Sequence, residues 1–290
     1  MKVLITGCKG QVGLCLTERL KGIAEILALD SKGLDITNRE AVFSTVVKFR
    51  PEYIINAAAH TAVDRAEQEV ELSYAINCDG PRYLAQAAKV CGAVMLHIST
   101  DYVFDGAGNS PYKETDSTGP QGIYGQSKLA GEQAVAEDCP QHLILRTAWV
   151  FGEYGNNFVK TMLRLAQSRD ELNVVGDQFG GPTYAGDIAD ALISMVQYLE
   201  QGKQPQWGIY HFSGMPYASW FDFAVAIFQA AEQYQVVAKK PKLFAISTKA
   251  YPTPAKRPAN SRLDCSRIED QFAIQPSDWR RALNNIQAYK

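Results

Sequence analysis

The chain has 290 residues, with 29 basic and 31 acidic side chains and a formal net charge of -2. That balance leaves no electrostatic footprint for DNA, RNA or an anionic membrane surface, so a small-molecule partner is expected and nucleic acid and membrane are not. The opening "KVLITG" is too short for a signal peptide and no apolar run approaches the roughly 18 residues of a spanning helix, which predicts a soluble, cytoplasmic protein.

In chain order, short apolar runs alternate with helical patterns through about the first 150 residues, the signature of βαβ units around a parallel sheet. The expected strands are "KVLITG", "EILALD", "YIINAAA", "VMLHIST" and "HLILRTAWVF". Among the helices, "NREAVFSTVVKF" places Val42, Thr45, Val46 and Phe49 at helical spacing behind an Asn38 cap. Beyond Gly152 the rhythm changes. "NNFVKTMLRLAQ", "GDIADALISMVQYLE" and, behind Ser219, "SWFDFAVAIFQAAEQY" read as helices, "GIYHFSG" as a strand, and "PSDWRRALNNIQAY" as a closing helix opened by proline and serine. The fold class is α/β, a Rossmann-type parallel sheet flanked by helices. Residues 1–151 form a dinucleotide-binding domain and 152–290 mainly a smaller substrate-binding lobe, with the chain free to cross back. Prolines in "AYPTPAKRPANS", 250–261, preclude a regular helix there.

"GCKGQVG" follows the first strand and opens a helix, with Gly7, Gly10 and Gly13 three apart. Such a turn lets the backbone approach a pyrophosphate at a helix N-terminus. The spacing GxxGxxG is one residue longer than the usual dinucleotide fingerprint. Its context supports it: Asp30 ends the second strand, where a carboxylate accepts from ribose hydroxyls. Asp30 favours a free 2'-hydroxyl and Lys32 offsets it, so both NADPH and NADH are expected to bind. The competing reading is three glycines in an ordinary strand–helix turn. "NAAAHT", 56–61, ends the third strand with small residues that permit close packing on a nucleoside; His60 otherwise reads as a packed loop histidine.

"YGQSKLAGE", 124–132, sets Tyr124 and Lys128 one helical turn apart on the same face. An ammonium beside a phenol favours the phenolate, so the pair is expected to lower the Tyr124 pKa and pass a proton. "HISTDYVF", 97–104, brings Ser99 and Thr100 to the carboxyl end of a strand, where α/β sheets hold ligands. Hydride addition to a carbonyl builds charge on oxygen, and these groups are the donors it needs. The alternative makes Thr100 a turn cap and Tyr124 a packed aromatic. Six cysteines (Cys8, Cys15, Cys78, Cys91, Cys139, Cys265) show no CxxC pair and no adjacent histidine cluster, so no zinc or redox site is read from them.

Together, "GCKGQVG", "NAAAHTAVDRAE", "STDYVFDG", "YGQSKLAGE", "LRTAWVFG", "GNNFVKTMLRLA" and "YPTPAKRPANSRL" resemble the extended short-chain dehydrogenase/reductases, nearly end to end. The resemblance implies reduction of the C4 keto group of dTDP-4-dehydro-L-rhamnose to dTDP-L-rhamnose, with Thr100, Tyr124 and Lys128 catalytic. It implies a cofactor lining of Gly10, Gln11, Val12, Asp30, Asp35, Ile36, Ala59, His60 and Thr61, beside Gly7, Gly13, Tyr124 and Lys128. It also implies that Asp101, Tyr102 and Trp149 contact the dTDP-sugar; Arg257 and Asn260 in the proline-rich loop are candidates for its diphosphate or sugar. Dehydratases of similar sequence carry Asp-Glu after the strand-end threonine. Here Tyr102 follows Asp101, which favours plain reduction over elimination or epimerisation. Some similar bacterial proteins dimerise around magnesium, with a carboxylate where this chain has Cys15 and another near Gly186. A thiol is a poor ligand for that hard cation, so no metal is expected, and a monomer or a dimer without a magnesium bridge is. A different class remains open, a non-catalytic nucleotide-binding subunit of the methionine adenosyltransferase type.

Overall fold

The computed structural model describes residues 1–289. Strand β1 (Lys2–Thr6) lies inside a six-stranded parallel sheet with β2 (Glu25–Leu29), β3 (Tyr53–Asn56), β4 (Val94–Thr100) and β5 (His142–Thr147). The spatial order is Gly208–His211, β5, β4, β3, β1, β2. The chain goes from β1 outward to β2 and then returns to the other flank of β1 with β3. That reversal opens a crevice at the carboxyl end of β1, the place where sheets of this kind bind ligands.

Both faces of the sheet are covered, which is why its strands read as unbroken apolar runs rather than alternating ones. Val3 and Ile5 share a cluster with Leu16 of helix α1 (Gln11–Leu20) and Leu192 of the helix Ala185–Glu200. Leu4, between them, joins the opposite cluster with Val42 of α2 (Arg39–Phe49) and Leu84 of the helix Gly80–Cys91. All five side chains just named in these strands and helices with numbers below 50 are buried, and each aliphatic group of this size contributes about 1.5–3 kcal/mol. The Asn38 cap forms as expected, its Oδ1 accepting from the Ala41 amide at 3.0 Å.

Three features refine or correct the sequence reading. "HLILRTAWVF" is not one strand: β5 stops at Thr147, and Val150–Phe151 pairs instead with Thr183–Tyr184. The break is at Trp149, whose φ of 50° is left-handed and turns the chain out of the sheet. Secondly, Gly208–His211 forms the sheet edge beside β5, and the helix Ala185–Glu200 packs on α1, so the segment beyond 152 supplies two pieces of the first layer system. Thirdly, Ser277–Asp278 is an extended pair with Gly214–Met215; the last helix starts at Trp279, where the Asp278 carboxylate accepts from the Arg281 amide. The remaining lobe has its own core of Phe151, Phe223, Ile227 and Trp279. Its helix Trp220–Gln233 is held by a reciprocal Ser219–Asp222 capping box, and Phe158–Ala166 by Asn157.

Candidate active site

At the first turn the glycines have separate jobs. Gly7 has φ 71°, and a Cβ there would lie 2.7 Å from the Ala57 carbonyl oxygen. A Cβ on Gly13 would collide with the Gly7 carbonyl oxygen, so these two positions let α1 start tight against β1 and β3. Gly10 is exposed and sits at the N-cap of α1; no side chain caps that end and its first turn carries no acid. Free amides and a partial positive charge therefore face the crevice, a fit for a pyrophosphate. Val12 is buried under the turn, and Gln11 accepts from the Asn157 amide at 3.0 Å, tying α1 to the second lobe.

Asp30 stands at the end of β2, its Oδ1 accepting from the Lys32 and Gly33 amides at 3.1 and 2.9 Å. Lys9 pairs with its Oδ2 at 2.5 Å, and that bond, ahead of the Gly33 amide, holds the carboxyl below its usual range. Asp35 accepts from the Thr37 amide and hydroxyl at 3.0 and 2.8 Å, while Ile36 is buried against Gly80. Ala59, His60 and Thr61 follow β3. The His60 ring is engaged on both sides, by Glu69 at 2.9 Å and Ser73 at 3.2 Å.

The helix Ile123–Asp138 carries Tyr124 and Lys128 to the end of β4. Gly125 allows this approach, since a Cβ there would strike the Tyr102 carbonyl, and Glu67 caps the helix by accepting from the Ile123 amide at 2.9 Å. Deeper in the helix, Glu132 and Arg146 form a buried two-pronged ion pair at 2.8 and 2.6 Å that fastens it to β5. Thr100 donates to Asp101 Oδ1 at 3.0 Å and accepts from the Tyr102 amide at 3.2 Å, and its side chain lies close enough to the Tyr124 phenol to influence it. Thr100 and Tyr124 thus converge, and the Tyr102 ring meets Tyr124 edge to face at 5.4 Å.

Here the expected electrostatics are reversed. Burial pushes the Tyr124 phenol up, outweighing the nearby Thr100 hydroxyl that lowers it, so the phenol is held protonated. The Lys128 amine gives its hydrogen bond to the Ile98 carbonyl at 2.7 Å, toward β4 rather than toward the phenol. Burial, opposed by Glu132, pushes Lys128 down to about 8. Burial also pushes the Asp101 carboxyl up to about 6, against nearby Ser261 and the hydrogen bond from Thr100.

Beside Tyr102, Arg257 donates to the Tyr102 hydroxyl at 3.2 Å and to Asp64 at 2.6 Å, and the Ala255 amide donates to the same carboxylate at 3.1 Å. The proline-rich loop is thereby tied to Tyr102 and to the short helix that carries Asp64. Asn260 is buried and occupied: it donates to the Ser110 carbonyl at 2.8 Å and accepts from the Arg262 side chain at 2.7 Å, so its amide holds the loop. Trp149 stacks on Trp220 with ring centroids 3.5 Å apart and its edge against Gly180, which leaves it a packing partner on one face. A cleft of about 740 Å³ bordered by Arg19, Asp187 and Arg281 contains none of these groups.

Sequence reasoning passed over Asp64, Glu67, Asn56 and His97. The last two carried a faint signal, as polar residues in the otherwise apolar strands "YIIN" and "VMLHIST". Asp64 and Glu67 carried none, since their partners lie 193 and 56 positions away.

With this geometry in view, the similarities of the chain are specific. The family model described as RmlD substrate binding domain matches residues 1–289. A dTDP-4-dehydrorhamnose reductase from Aggregatibacter actinomycetemcomitans is 54% identical, with 99% of each chain covered. Among solved structures, a dTDP-4-dehydrorhamnose reductase from Clostridium acetobutylicum superposes with TM-score 0.92 at 41% identity, covering 99% of this chain and 98% of that one. One from Bacillus anthracis, in complex with NADP, superposes with TM-score 0.91 at 39% identity, covering 100% and 99%.

Proposed function

Because the chain belongs to the RmlD substrate binding domain family, we propose that it reduces the C4 keto group of dTDP-4-dehydro-L-rhamnose, giving dTDP-L-rhamnose, with NADPH or NADH as reductant. The observation that carries this reading is the closeness of Thr100 and Tyr124, with Lys128 on the same helix, at the carboxyl end of β4, on the same end of the parallel sheet as the glycine turn after β1. When bound, the nicotinamide cofactor supplies the hydride. The residues that would hold it are Gly7, Gly10, Gln11, Val12 and Gly13 at the pyrophosphate, and Asp30, Asp35 and Ile36 with the 59–61 segment at the nucleoside. Lys9 and Lys32 beside Asp30 supply positive charge compatible with a 2'-phosphate, while the carboxylate suits a free hydroxyl, which supports use of both cofactors.

The chain's own residues divide the rest of the work. Tyr124, kept protonated by burial, gives its proton to the carbonyl oxygen as charge develops there, and Thr100, on turning its hydroxyl from Asp101 to the substrate, offers a second donor. Asp101, Tyr102 and Arg257 line the sugar-nucleotide side, with Trp149 behind them. The guanidinium of Arg257, already beside the Tyr102 hydroxyl, is suited to a diphosphate. A cytoplasmic location follows from the nucleotide-linked substrate and the reduced cofactor; no helix among the described residues is long and apolar enough to cross a membrane. As a monomer or dimer the protein would do without a magnesium bridge: the buried Cys15 thiol is pushed up to about 11 and stays neutral beside Arg19, which pairs with Asp190 at 2.7 Å.

The test follows cofactor absorbance with dTDP-4-dehydro-L-rhamnose present, for the wild type and Tyr124→Phe. Consumption by the wild type alone is expected. Equal rates would remove Tyr124 from the chemistry, and cofactor binding without any consumption would favour a non-catalytic nucleotide-binding subunit.

A further inference from the structure

Beneath Lys128 runs a line of buried polar side chains, Thr6 on β1, Asn56 on β3 and His97 on β4, that the reduction does not itself use. Its hydrogen bonds can be assigned in order. The Ala58 amide donates to Asn56 Oδ1 at 3.1 Å, and the Thr6 hydroxyl donates to the same oxygen at 2.6 Å. A backbone N–H can only donate, so the amide oxygen is fixed on that side and Asn56 Nδ2 faces His97 Nδ1 at 3.0 Å. Nδ2 can only donate as well. His97 Nδ1 is therefore the acceptor, and a neutral ring carries its single proton on Nε2. Burial, followed by the nearby Lys128 charge, holds the ring neutral by pushing its pKa well below the usual histidine range.

His97 Nε2 lies 3.4 Å from Lys128 Nζ. With an ammonium there, donor meets donor; with a neutral amine, Nε2–H has an acceptor. The other bond of the amine, to the Ile98 carbonyl, suits both forms. Among the neighbouring groups, Glu132 on the same helix pulls toward the ammonium, but Arg146 engages both its oxygens. Asp101 and Tyr102 follow β4 and Tyr124 sits one turn back on the helix; burial disfavours a charge on each.

We propose that His97 is a positioning residue for Lys128: locked by Asn56 in its Nε2–H tautomer, it disfavours the ammonium and makes the lysine a ready proton source. The line ends at buried Thr6, so it acts as a tautomer lock and not as a wire to solvent. Its consequence for turnover rests on the reductase reading: the Lys128 ammonium returns one proton to the Tyr124 phenolate, which becomes the phenol again, and is left as the neutral amine that accepts from His97 Nε2–H until it takes up a proton from solvent when the site opens between turnovers.

The tautomer can be read directly by long-range ¹H–¹⁵N NMR on protein labelled at its four histidines, with the His97 signals assigned through His97→Gln. The Nε2–H pattern is expected at pH 7, and Asn56→Asp, which has no donor for Nδ1, should switch it to Nδ1–H. An Nδ1–H or doubly protonated His97 in the wild type would overturn the proposal, even if no variant folds. The Lys128 ¹³Cε titration, assigned by its loss in Lys128→Met, should have its midpoint raised by about 1 pH unit in His97→Leu. The alkaline limb of kcat/KM should move the same way, with KM at pH 7 little changed. An unmoved midpoint in folded His97→Leu would sink the idea. A chain that reduces nothing yet shows the expected tautomer and midpoint shift would instead overturn only the reductase reading.

Discussion

At the glycine turn the groups proposed to face the cofactor are main-chain amides of consecutive residues, whereas at the proposed substrate mouth Asp64, Tyr102 and Arg257 come from three distant segments and meet only through side chains. The first region depends on what cannot be added, a Cβ at Gly7 or Gly13. The second depends on what is present. Substitutions should accordingly act differently in the two, through shape and stability at the turn and through affinity at the mouth. Tyr124, where the regions join, should act on the chemical step alone.

The largest effect is therefore expected at the junction: Tyr124→Phe should lower kcat by about 10³-fold with an unchanged thermal midpoint. A matching fall in thermal midpoint would mean that the phenol holds the fold. At the turn, Gly13→Ala drives a methyl into the Gly7 carbonyl, and we expect a stability loss of about 1–3 kcal/mol together with lost cofactor binding. Denaturant unfolding and cofactor fluorescence titration check the two halves of this prediction. Normal binding would show that the turn is not the pyrophosphate cradle.

At the mouth, Arg257→Ala should raise KM for the sugar nucleotide by about 10-fold while leaving cofactor affinity alone, because one charge-assisted contact is removed. Asn260→Ala should do less, costing about 1 kcal/mol in unfolding through loss of its bonds to Ser110 and Arg262, with KM nearly unaffected. If Asn260→Ala raises KM more than Arg257→Ala, their roles are exchanged. A pH dependence is also expected. The Asp101 carboxyl is raised from 3.8 to about 6, so the native state binds the extra proton in that window. Its contribution to stability is full below about pH 4 and is lost as pH rises through about 6, a slope that Asp101→Asn should flatten in thermal melts.

Much of the fold was legible in the chain because local rules carried it. Strands buried on both faces require apolar runs, Asn38 and Ser219 cap by short-range bonds, and the Gly7, Gly10, Gly13 spacing is a property of one turn. The strand containing Trp149 was misread for the opposite reason. Its left-handed backbone sits where the ring stacks on Trp220, a residue 71 positions later, and no local propensity announces that contact.

The site divides the same way. Sequence alone determined that Tyr124 and Lys128 share a helix face and that Thr100 ends a strand, since periodicity fixes which side chains are neighbours along an element. Tertiary structure decided their electrostatics. Desolvation raises the phenol rather than lowering it, and Lys128 turns to Ile98 and His97, because charge energies depend on burial and on partners brought together across the sheet.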